Sequence, residues 1–409
     1  MQQRILVVGS GFAGMWSALA ARRLIHLTQG KASGIDVTVV APAPRLVVRP
    51  RLYEANPANM SAPLGDLFGA TGIQYIQGKV DLIRPAEQEV EAVDTTGKRS
   101  TLSYSRLILA TGSRLVRPNI PGLREHAFSI DQIDEAAELD KHLHGLSSFP
   151  DTPERNTVVV VGGGFTGIEI GAELPARLRA ILGKDTRVRV VIVELNADIG
   201  PELGPGPRPT IIQALTELGV EMKLGVAVDS VEPSGVVTSS GETISALTVI
   251  WTGGMAVDEL TKQIGGKRNP EGRLIVDRDL RVPSDEKIFA TGDTAFAMTD
   301  DQGNHTMMSC QHATILGRSA GHNAAADLLK IDTRPYSQPS YGTCLDLGPW
   351  GAVIGAGWSR ETIMSGQEAK AVKQWINCSL IYPPKADQDE AFALADPAYE
   401  VPNLDLSSL

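Results

Sequence analysis

Cysteine is scarce in this chain and confined to its last quarter. Only Cys310, Cys344 and Cys378 occur among the 409 residues, and long intervals separate them. Three isolated thiols cannot form a disulfide framework, and such usage is typical of a protein kept in a reducing compartment. The first apolar segment begins within a few residues of Met1, so we expect no signal peptide and predict a cytoplasmic location.

The sequence also has no basic stripe and no long apolar run. The net charge is −10, and the lysines and arginines are scattered without interleaved aromatic residues. This distribution argues against a nucleic-acid partner. No segment is long and apolar enough to cross a bilayer, so no stable membrane anchor is expected. His126, His142 and His144 lack the spacing of metal ligands, and no metal site is predicted.

What the chain does contain is a glycine fingerprint, present twice. The sequence GSGFAG at residues 9–14 directly follows RILVV at residues 4–8, and GGGFTG at residues 162–167 follows TVVVV at residues 157–161, so each follows an apolar strand. A fingerprint that ends a strand and opens a helix places backbone N–H groups against a pyrophosphate. Two copies predict two dinucleotides, and passing a hydride from one to the other is the economical reason to bind both.

The two copies differ at the residue that usually binds a ribose. A dinucleotide fold commonly ends its second strand with an acid that accepts hydrogen bonds from ribose hydroxyls. Glu194 holds that position in the second copy and Ala41 in the first, each 27 residues after the last glycine of its fingerprint. The first site has therefore lost its ribose carboxylate.

Apolar strands, helix openings and turn residues recur after both fingerprints, which indicates two diverged copies of one α/β unit. The predicted fold is α/β, with two Rossmann-like dinucleotide-binding domains and a small C-terminal α+β region. In this interpretation the second domain is inserted into the first. The expected segments are 1–113 and 273–330 for the first domain, 114–155 for a connector, 156–272 for the second domain, and 331–409 for the C-terminal region with its acidic tail.

Several motifs together resemble a known family. The two fingerprints, Ala110-Thr111-Gly112 and Gly292-Asp293 are similar to those of the two-dinucleotide flavoproteins of the disulfide-reductase superfamily. Residues 48–54 and 250–253 most resemble the type II NADH dehydrogenases and their soluble relatives. The resemblance spans about residues 5–329. It implies that the first fingerprint binds FAD and the second binds NAD(P)H.

The resemblance also implies roles for individual residues. Glu169 would lie beside the nicotinamide, although a carboxylate in the first turn of a helix is also stabilised by the helix dipole alone. Gln311 would contact the flavin and acceptor pocket, whereas His312 is equally an ordinary helix residue. These two, Glu169 and Gln311, are the predicted catalytic residues. The predicted cofactor-binding residues are Gly9, Gly11, Phe12, Ala13, Gly14, Ala41, Arg49, Val80, Ala110, Thr111, Gly112, Gly292 and Asp293 for FAD, and Gly162, Gly164, Phe165, Thr166, Gly167, Glu194 and Gly253 for NADH.

The chain departs from this family in its cysteines and in its tail, and also at Ala41, which replaces the family's usual acid. It lacks the closely spaced cysteine pair of the redox-active disulfide members, so dithiol chemistry is excluded. Cys310 and Cys344 could only be flavin-facing cysteines or small buried thiols, and we favour the second interpretation. The tail after Lys385 is acidic through Asp405 and has no Lys or Arg, so anionic membranes would repel it. A Pro- and Gly-rich loop at residues 201–209 is expected to be mobile or to cap a neighbouring element.

The predicted function is that of an FAD-dependent NADH oxidoreductase whose partners are NADH and a small-molecule electron acceptor such as a quinone. Glu194 favours NADH, because it would repel the 2′-phosphate of NADPH. One alternative is a flavoenzyme that acts on a specific metabolite, as a monooxygenase or a tailoring oxidase or reductase. Another is an NADH-sensing flavoprotein that resembles apoptosis-inducing factor, in which a homodimer would respond to reduction. The sequence does not identify the acceptor.

Overall fold

A six-stranded sheet forms the centre of the first half of the molecule. The computed structural model describes residues 3–28 and 34–400. Five of the six strands are parallel, and the three central ones, Arg106–Leu109, Gln3–Val8 and Ile35–Ala41, are rich in Val, Ile and Leu and mostly buried on both faces. Their spatial order is Arg281–Val282, Asp285–Ala290, Arg106–Leu109, Gln3–Val8, Ile35–Ala41 and Gln74–Gln77. The chain thus leaves this sheet after its fourth parallel strand and returns to it much later.

A second parallel sheet lies in the intervening segment. Its four strands are ordered Val220–Leu224, Arg189–Glu194, Thr157–Val161 and Thr248–Trp251. Both parallel sheets therefore place a fingerprint strand at an inner position, with the strand that ends at Ala41 or Glu194 beside it. Two short strands, Ser113–Leu115 and Met255–Val257, pair where the chain passes between the two sheets.

Smaller sheets cover the rims of this α/β frame. Three of them are antiparallel and have three strands each. Their strands are Lys79–Arg84, Glu89–Val93 and Arg99–Ser103 in one, Val228–Glu232, Gly235–Thr238 and Thr243–Ser245 in another, and Gly342–Asp346, Ala352–Ala356 and Glu361–Gly366 in the third. Two-stranded pairs join Arg45–Val47 to Ser61–Pro63 and Leu274–Ile275 to Ala295–Phe296.

Helices cover the faces of the sheets. The two longest that follow fingerprints are Phe12–Leu27 and Phe165–Leu182, here called the first and second fingerprint helices. The first packs along Cys310–Leu329, and the Ser17 hydroxyl donates to the Gly317 carbonyl at 3.1 Å. The other α-helices are Gly65–Thr71, Leu123–His126, Ile133–Gly145, Arg208–Glu217, Gln367–Trp375 and Gln388–Leu394. The π-helical turn Ile376–Leu380 continues the helix Gln367–Trp375.

The third glycine of each fingerprint fixes the helix against its strand. A Cβ at Gly14 would lie 2.0 Å from the Gly9 carbonyl oxygen, and one at Gly167 would lie 1.8 Å from that of Gly162. Only glycine permits so close an approach, which is the packing role of the last glycine in a dinucleotide fold. The two strand–turn–helix units therefore have the same local geometry.

The acidic tail returns to the first sheet and packs on its helices. Asp396 forms ion pairs with Arg23 and Arg334. Arg318 lies between two rings, with its guanidinium carbon 4.3 Å from the centre of Trp16 and 4.9 Å from that of Tyr399. Asp405 lies outside the described residues. Within residues 3–28 and 34–400, no helix combines the length and the apolarity that crossing a membrane requires.

Candidate active site

The first fingerprint forms an open cradle at the start of its helix. Gly9 has a φ of +110°, which turns the chain sharply from strand to helix. A Cβ at Gly11 would meet no atom within 4 Å, so space remains beside the N–H groups of Phe12 and Ala13. Backbone N–H groups at a helix N-terminus favour a phosphate anion. This arrangement fits the pyrophosphate of a dinucleotide.

Polar groups lie next to this cradle at the carboxyl ends of two neighbouring strands. Ala110, Thr111 and Gly112 follow one strand, and Gly292 and Asp293 follow the next. The Asp293 carboxylate accepts a hydrogen bond from the Ser113 hydroxyl at 2.6 Å. The Thr111 hydroxyl is buried without a partner among the described residues, which marks a place where a ligand would satisfy it.

Arg49 links this edge to the connector. Its guanidinium forms an ion pair with Asp131, donates to the Ser113 carbonyl at 3.2 Å, and approaches the Asp293 carboxylate at 3.9 Å. The predicted FAD-binding residues are therefore brought to one edge of the first sheet, and their donors and acceptors fit a flavin dinucleotide.

Ala41 closes the first site without a carboxylate. Its carbonyl accepts from the Tyr75 hydroxyl at 2.7 Å and from the Gly78 N–H at 3.0 Å. Val80 is buried in the strand that begins after Gly78. Side-chain contact to an adenosine ribose must therefore come from groups other than an acid at the strand end.

The second fingerprint has the acid that the first lacks. The buried Glu194 carboxylate accepts from the Gly163 N–H at 2.6 Å through Oε2. Through Oε1 it accepts from the backbone N–H of Asn196 at 2.7 Å and from its side-chain amide at 2.5 Å. Glu194 is thus held against the glycine turn, in the position from which a carboxylate binds the adenosine ribose.

Glu169 faces the interior rather than the helix terminus. It is the fifth residue of the second fingerprint helix, beyond its first turn, so the expectation of a first-turn position was wrong. Its Oε1 lies 2.8 Å from Lys373 Nζ and accepts from the Asp346 N–H at 3.1 Å. Burial raises the pKa of Glu169 to about 7, although the Lys373 charge lowers it. A helix dipole is therefore not what determines its charge state.

Lys373 belongs to the C-terminal helix Gln367–Trp375. Burial lowers the pKa of Lys373, but the neighbouring groups, Glu169 first among them, together outweigh burial, and the pKa is raised. Its ammonium also donates to the Cys344 carbonyl at 2.9 Å. One turn earlier, Lys370 binds Asp346 at 2.6 Å and lies 3.4 Å from Glu173. Two lysines on one face of this helix thus meet three carboxylates.

A cavity of about 620 Å³ opens against this network. Tyr53 packs behind two of the lining residues, since its hydroxyl donates to Asp346 at 2.9 Å and its ring lies 5.9 Å from Lys373 Nζ. Most of the lining side chains are charged or polar. They include Arg51, Glu54, Glu173, Arg177, Asp346, Lys370, Lys373, Gln374 and Asn377.

Gln311 and His312 begin the helix Cys310–Leu329 and point in different directions. Gln311 is exposed, and the structure does not bring it into contact with Glu169. His312 is fully buried, stacked on Tyr341 at 4.6 Å between ring centres, with its Nδ1 3.0 Å from Gln338 Oε1. Burial lowers the pKa of His312 to about 4, so its ring is neutral at physiological pH.

The two cysteines nearest this region are thiols rather than thiolates. Burial raises the pKa of Cys310 and of Cys344 to about 11. A thiol that keeps its proton at neutral pH is a poor nucleophile. This supports the interpretation of both as unreactive thiols, although each is half-buried and not fully buried as expected. Among the described residues, no cluster of three or more His, Cys, Asp or Glu is arranged to hold a metal ion.

Comparison with known proteins identifies the family. A family model described as pyridine nucleotide-disulphide oxidoreductase matches residues 3–317. The chain belongs to this family. An NADH dehydrogenase-like protein of Mycobacterium tuberculosis is 43% identical over 383 residues, which cover 93% of this chain and 94% of the relative. A demethylphylloquinone reductase of Synechocystis is 27% identical over 365 residues, which cover 86% of each chain.

A solved structure shows how far the fold is shared. NDH2 of Plasmodium falciparum, solved with NADH, matches with a TM-score of 0.78 at 16% identity and covers 97% of this chain and 98% of its own. The match confirms the predicted α/β architecture. The family assignment and the NADH dehydrogenase-like relative make this chain an FAD-dependent oxidoreductase that uses NADH, as the motifs and their resemblance predicted.

Sequence reasoning missed the C-terminal half of the candidate site. Lys370, Lys373 and Asp346 were not predicted, because the C-terminal region carried no recognisable motif. The spacing of Lys370 and Lys373 was a usable signal, since residues three apart share one face of a helix. Nothing local showed that this face would be buried against Glu169.

Proposed function

We propose that this protein oxidises NADH and passes the electrons, with protons, to a quinone-type acceptor. The observation that carries the proposal is the buried Glu169–Lys373 pair, of which Lys373 lines a cavity large enough for a small ring. The kinship with a demethylphylloquinone reductase supports a quinone as the acceptor class. FAD, when bound, accepts hydride from NADH and passes electrons on, so the protein contributes binding, orientation and proton supply.

The proposed role of Glu169 is proton transfer to the acceptor. A group with a pKa of about 7 is partly protonated at neutral pH, which suits a general acid. Lys373 keeps a positive charge next to the carboxylate and stabilises it after the proton has left. Asp346 holds the same Oε1 through its backbone N–H, which orients the carboxyl group. Gln311, exposed at the helix start, is proposed to contact the acceptor or the flavin edge directly.

A second candidate function follows from the polarity of the cavity. Arg51, Glu54, Lys370 and Glu173 are poor partners for a long isoprenoid tail, because burying charge against hydrocarbon is unfavourable. A short-chain quinone or a polar metabolite would fit this lining better. The flavoenzyme that acts on a specific metabolite therefore stays open as the alternative.

We further propose that the protein works in the cytoplasm without a stable membrane anchor. The support is the described part of the tail, in which Asp396 pairs with Arg23 of the first fingerprint helix and Tyr399 lies under Arg318 of the helix Cys310–Leu329. Packed in this way, the segment is not presented to a lipid surface. A homodimer is compatible with this arrangement.

The test separates the two halves of the reaction by stopped-flow absorbance. NADH is mixed with oxidised holoprotein, and reduced holoprotein is then mixed with a short-chain quinone, a long-chain quinone, a panel of polar metabolites, oxygen or a dye. Glu169→Gln should slow the second step by roughly 10²- to 10⁴-fold, the usual contribution of a positioned acid. Gln311→Ala should slow the same step.

The control is Glu232→Gln, which removes an exposed carboxylate from the same domain. If both half-reactions keep wild-type rates in Glu169→Gln and Gln311→Ala, the acceptor site lies elsewhere. If only a polar metabolite reoxidises the protein, the alternative function is correct. If no acceptor gives turnover while NADH still binds, the sensor interpretation is favoured.

A further inference from the structure

A carboxylate of the protein itself occupies the N-terminus of the second fingerprint helix. Glu202 lies in the short 3₁₀ turn Pro201–Leu203, on the Pro- and Gly-rich loop that follows the Glu194 strand. Its Oε1 accepts a hydrogen bond from the Phe165 N–H at 2.9 Å. Of the two behaviours expected for this loop, capping is the one observed.

The first fingerprint provides an internal comparison. A Cβ at Gly164 would lie 2.8 Å from Glu202 Oε1, whereas a Cβ at the corresponding Gly11 would meet nothing within 4 Å. The second glycine of such a motif is the one that lets the backbone approach the pyrophosphate. Glu202 therefore lies where the phosphates of NADH are expected, while the equivalent space in the first fingerprint is open.

The loop that carries Glu202 is anchored on both sides. The Gly200 N–H donates to the Gly163 carbonyl at 2.8 Å, and Leu203 is buried beside Ile168. Further along, Gly206 packs directly against the backbone of Arg360. The Glu202 side chain itself is exposed. Rotation of this one side chain would clear the helix N-terminus and leave the rest of the loop in place.

We propose that Glu202 is an internal competitor of NADH and sets its affinity. The Phe165 N–H can serve the carboxylate or a phosphate oxygen, but the two anions repel each other and cannot share the site. NADH must therefore displace Glu202, and it holds its adenosine end on Glu194 while doing so. In the free protein, Glu202 accepts the hydrogen bond from the Phe165 N–H until a ligand with both a pyrophosphate and an adenosine ribose displaces it.

The test measures binding of ADP-ribose to FAD-loaded protein by calorimetry. ADP-ribose carries the pyrophosphate but no nicotinamide, so no redox reaction intervenes. Glu202→Ala should bind ADP-ribose about 2- to 30-fold more tightly than wild type. This range corresponds to the stabilisation that a helix N-terminus gives to a nearby anion. Glu202→Gln keeps an acceptor oxygen without the charge and should fall between the two. In steady state, KM for NADH should fall in the same proportion, and kcat should stay the same.

The matched control is Glu232→Gln, which makes the same charge change on the same domain and should leave both constants unchanged. Equal or weaker ADP-ribose binding in both Glu202 variants would overturn the proposal and leave Glu202 as a helix cap only. If ADP-ribose binds neither wild type nor any variant, the placement of NADH on the second fingerprint fails as well. Glu202→Gln retains the side-chain shape, so it can be measured even if Glu202→Ala folds poorly.

Discussion

Lys373 Nζ lies 2.8 Å from Glu169 Oε1, and the two side chains are only 6% and 5% exposed. The pair joins the helix that follows the second fingerprint to a helix of the C-terminal region. Removing one partner of a buried ion pair leaves the other charge uncompensated, whereas removing both is much less costly. The charge state of this pair therefore depends on contacts between segments that are far apart in sequence.

The first prediction concerns pH. Burial raises the pKa of Glu169 to about 7, so the protonated form is present below pH 7 and is lost as the pH rises through that value. If this form donates the proton, the rate of reoxidation by a quinone falls above pH 7. Stopped-flow measurements from about pH 5.5 to about pH 9, which cover both sides of the Glu169 pKa, should show this fall.

Lys373→Met is the diagnostic variant for that profile. The Lys373 charge lowers the pKa of Glu169, so its removal should move the midpoint to higher pH. In Glu169→Gln, reoxidation by the quinone should be slow at every pH and should show no transition near the pKa of Glu169. A wild-type profile that survives in Glu169→Gln would assign the proton to another group.

The second prediction is that the purified protein carries noncovalent FAD and depends on Asp293 to hold it. Asp293→Ala removes a carboxylate that faces the open cradle, and charged hydrogen bonds contribute enough that FAD should bind about 10- to 150-fold more weakly. Apoprotein reconstitution followed by fluorescence measures this affinity. Asp229→Asn, at an exposed position, serves as the control. FMN as the released chromophore would contradict the assignment.

The third prediction is a preference for NADH over NADPH. Glu194 faces the ribose position and would repel a 2′-phosphate, so kcat/KM should be higher with NADH. Glu194→Ala should lower kcat/KM for NADH by roughly tenfold or more and narrow the difference between the coenzymes. Equal use of both coenzymes by the wild type would show that Glu194 does not select between them.

The fourth prediction concerns the tail. Asp396→Asn breaks the pair with Arg23, in which the side chains are 28% and 16% exposed. Because the site is partly buried, we expect a loss of about 1 kcal/mol in the free energy of unfolding, measured with urea. Wild-type protein should stay in the supernatant when anionic liposomes are sedimented at low salt. Strong pelleting would instead indicate a membrane-associated quinone reductase.

The same tail shows where prediction from sequence stopped. Its acidic composition was evident, and from it we expected only repulsion from membranes. The structure instead uses Asp396 and Tyr399 as contacts with Arg23 and Arg318. A pairing between residues more than 80 positions apart leaves no periodic signal, so composition alone could not reveal it.

The sequence by itself determined the two dinucleotide folds and their different ribose ends. A strand, a glycine turn and a helix are adjacent in the chain, so their geometry follows from local rules, and Ala41 and Glu194 could be compared in register. Tertiary structure alone decided the rest of the site. It buried Lys373 against Glu169 and placed Glu202 on the Phe165 N–H, because burial and charge pairing depend on which distant segments pack together.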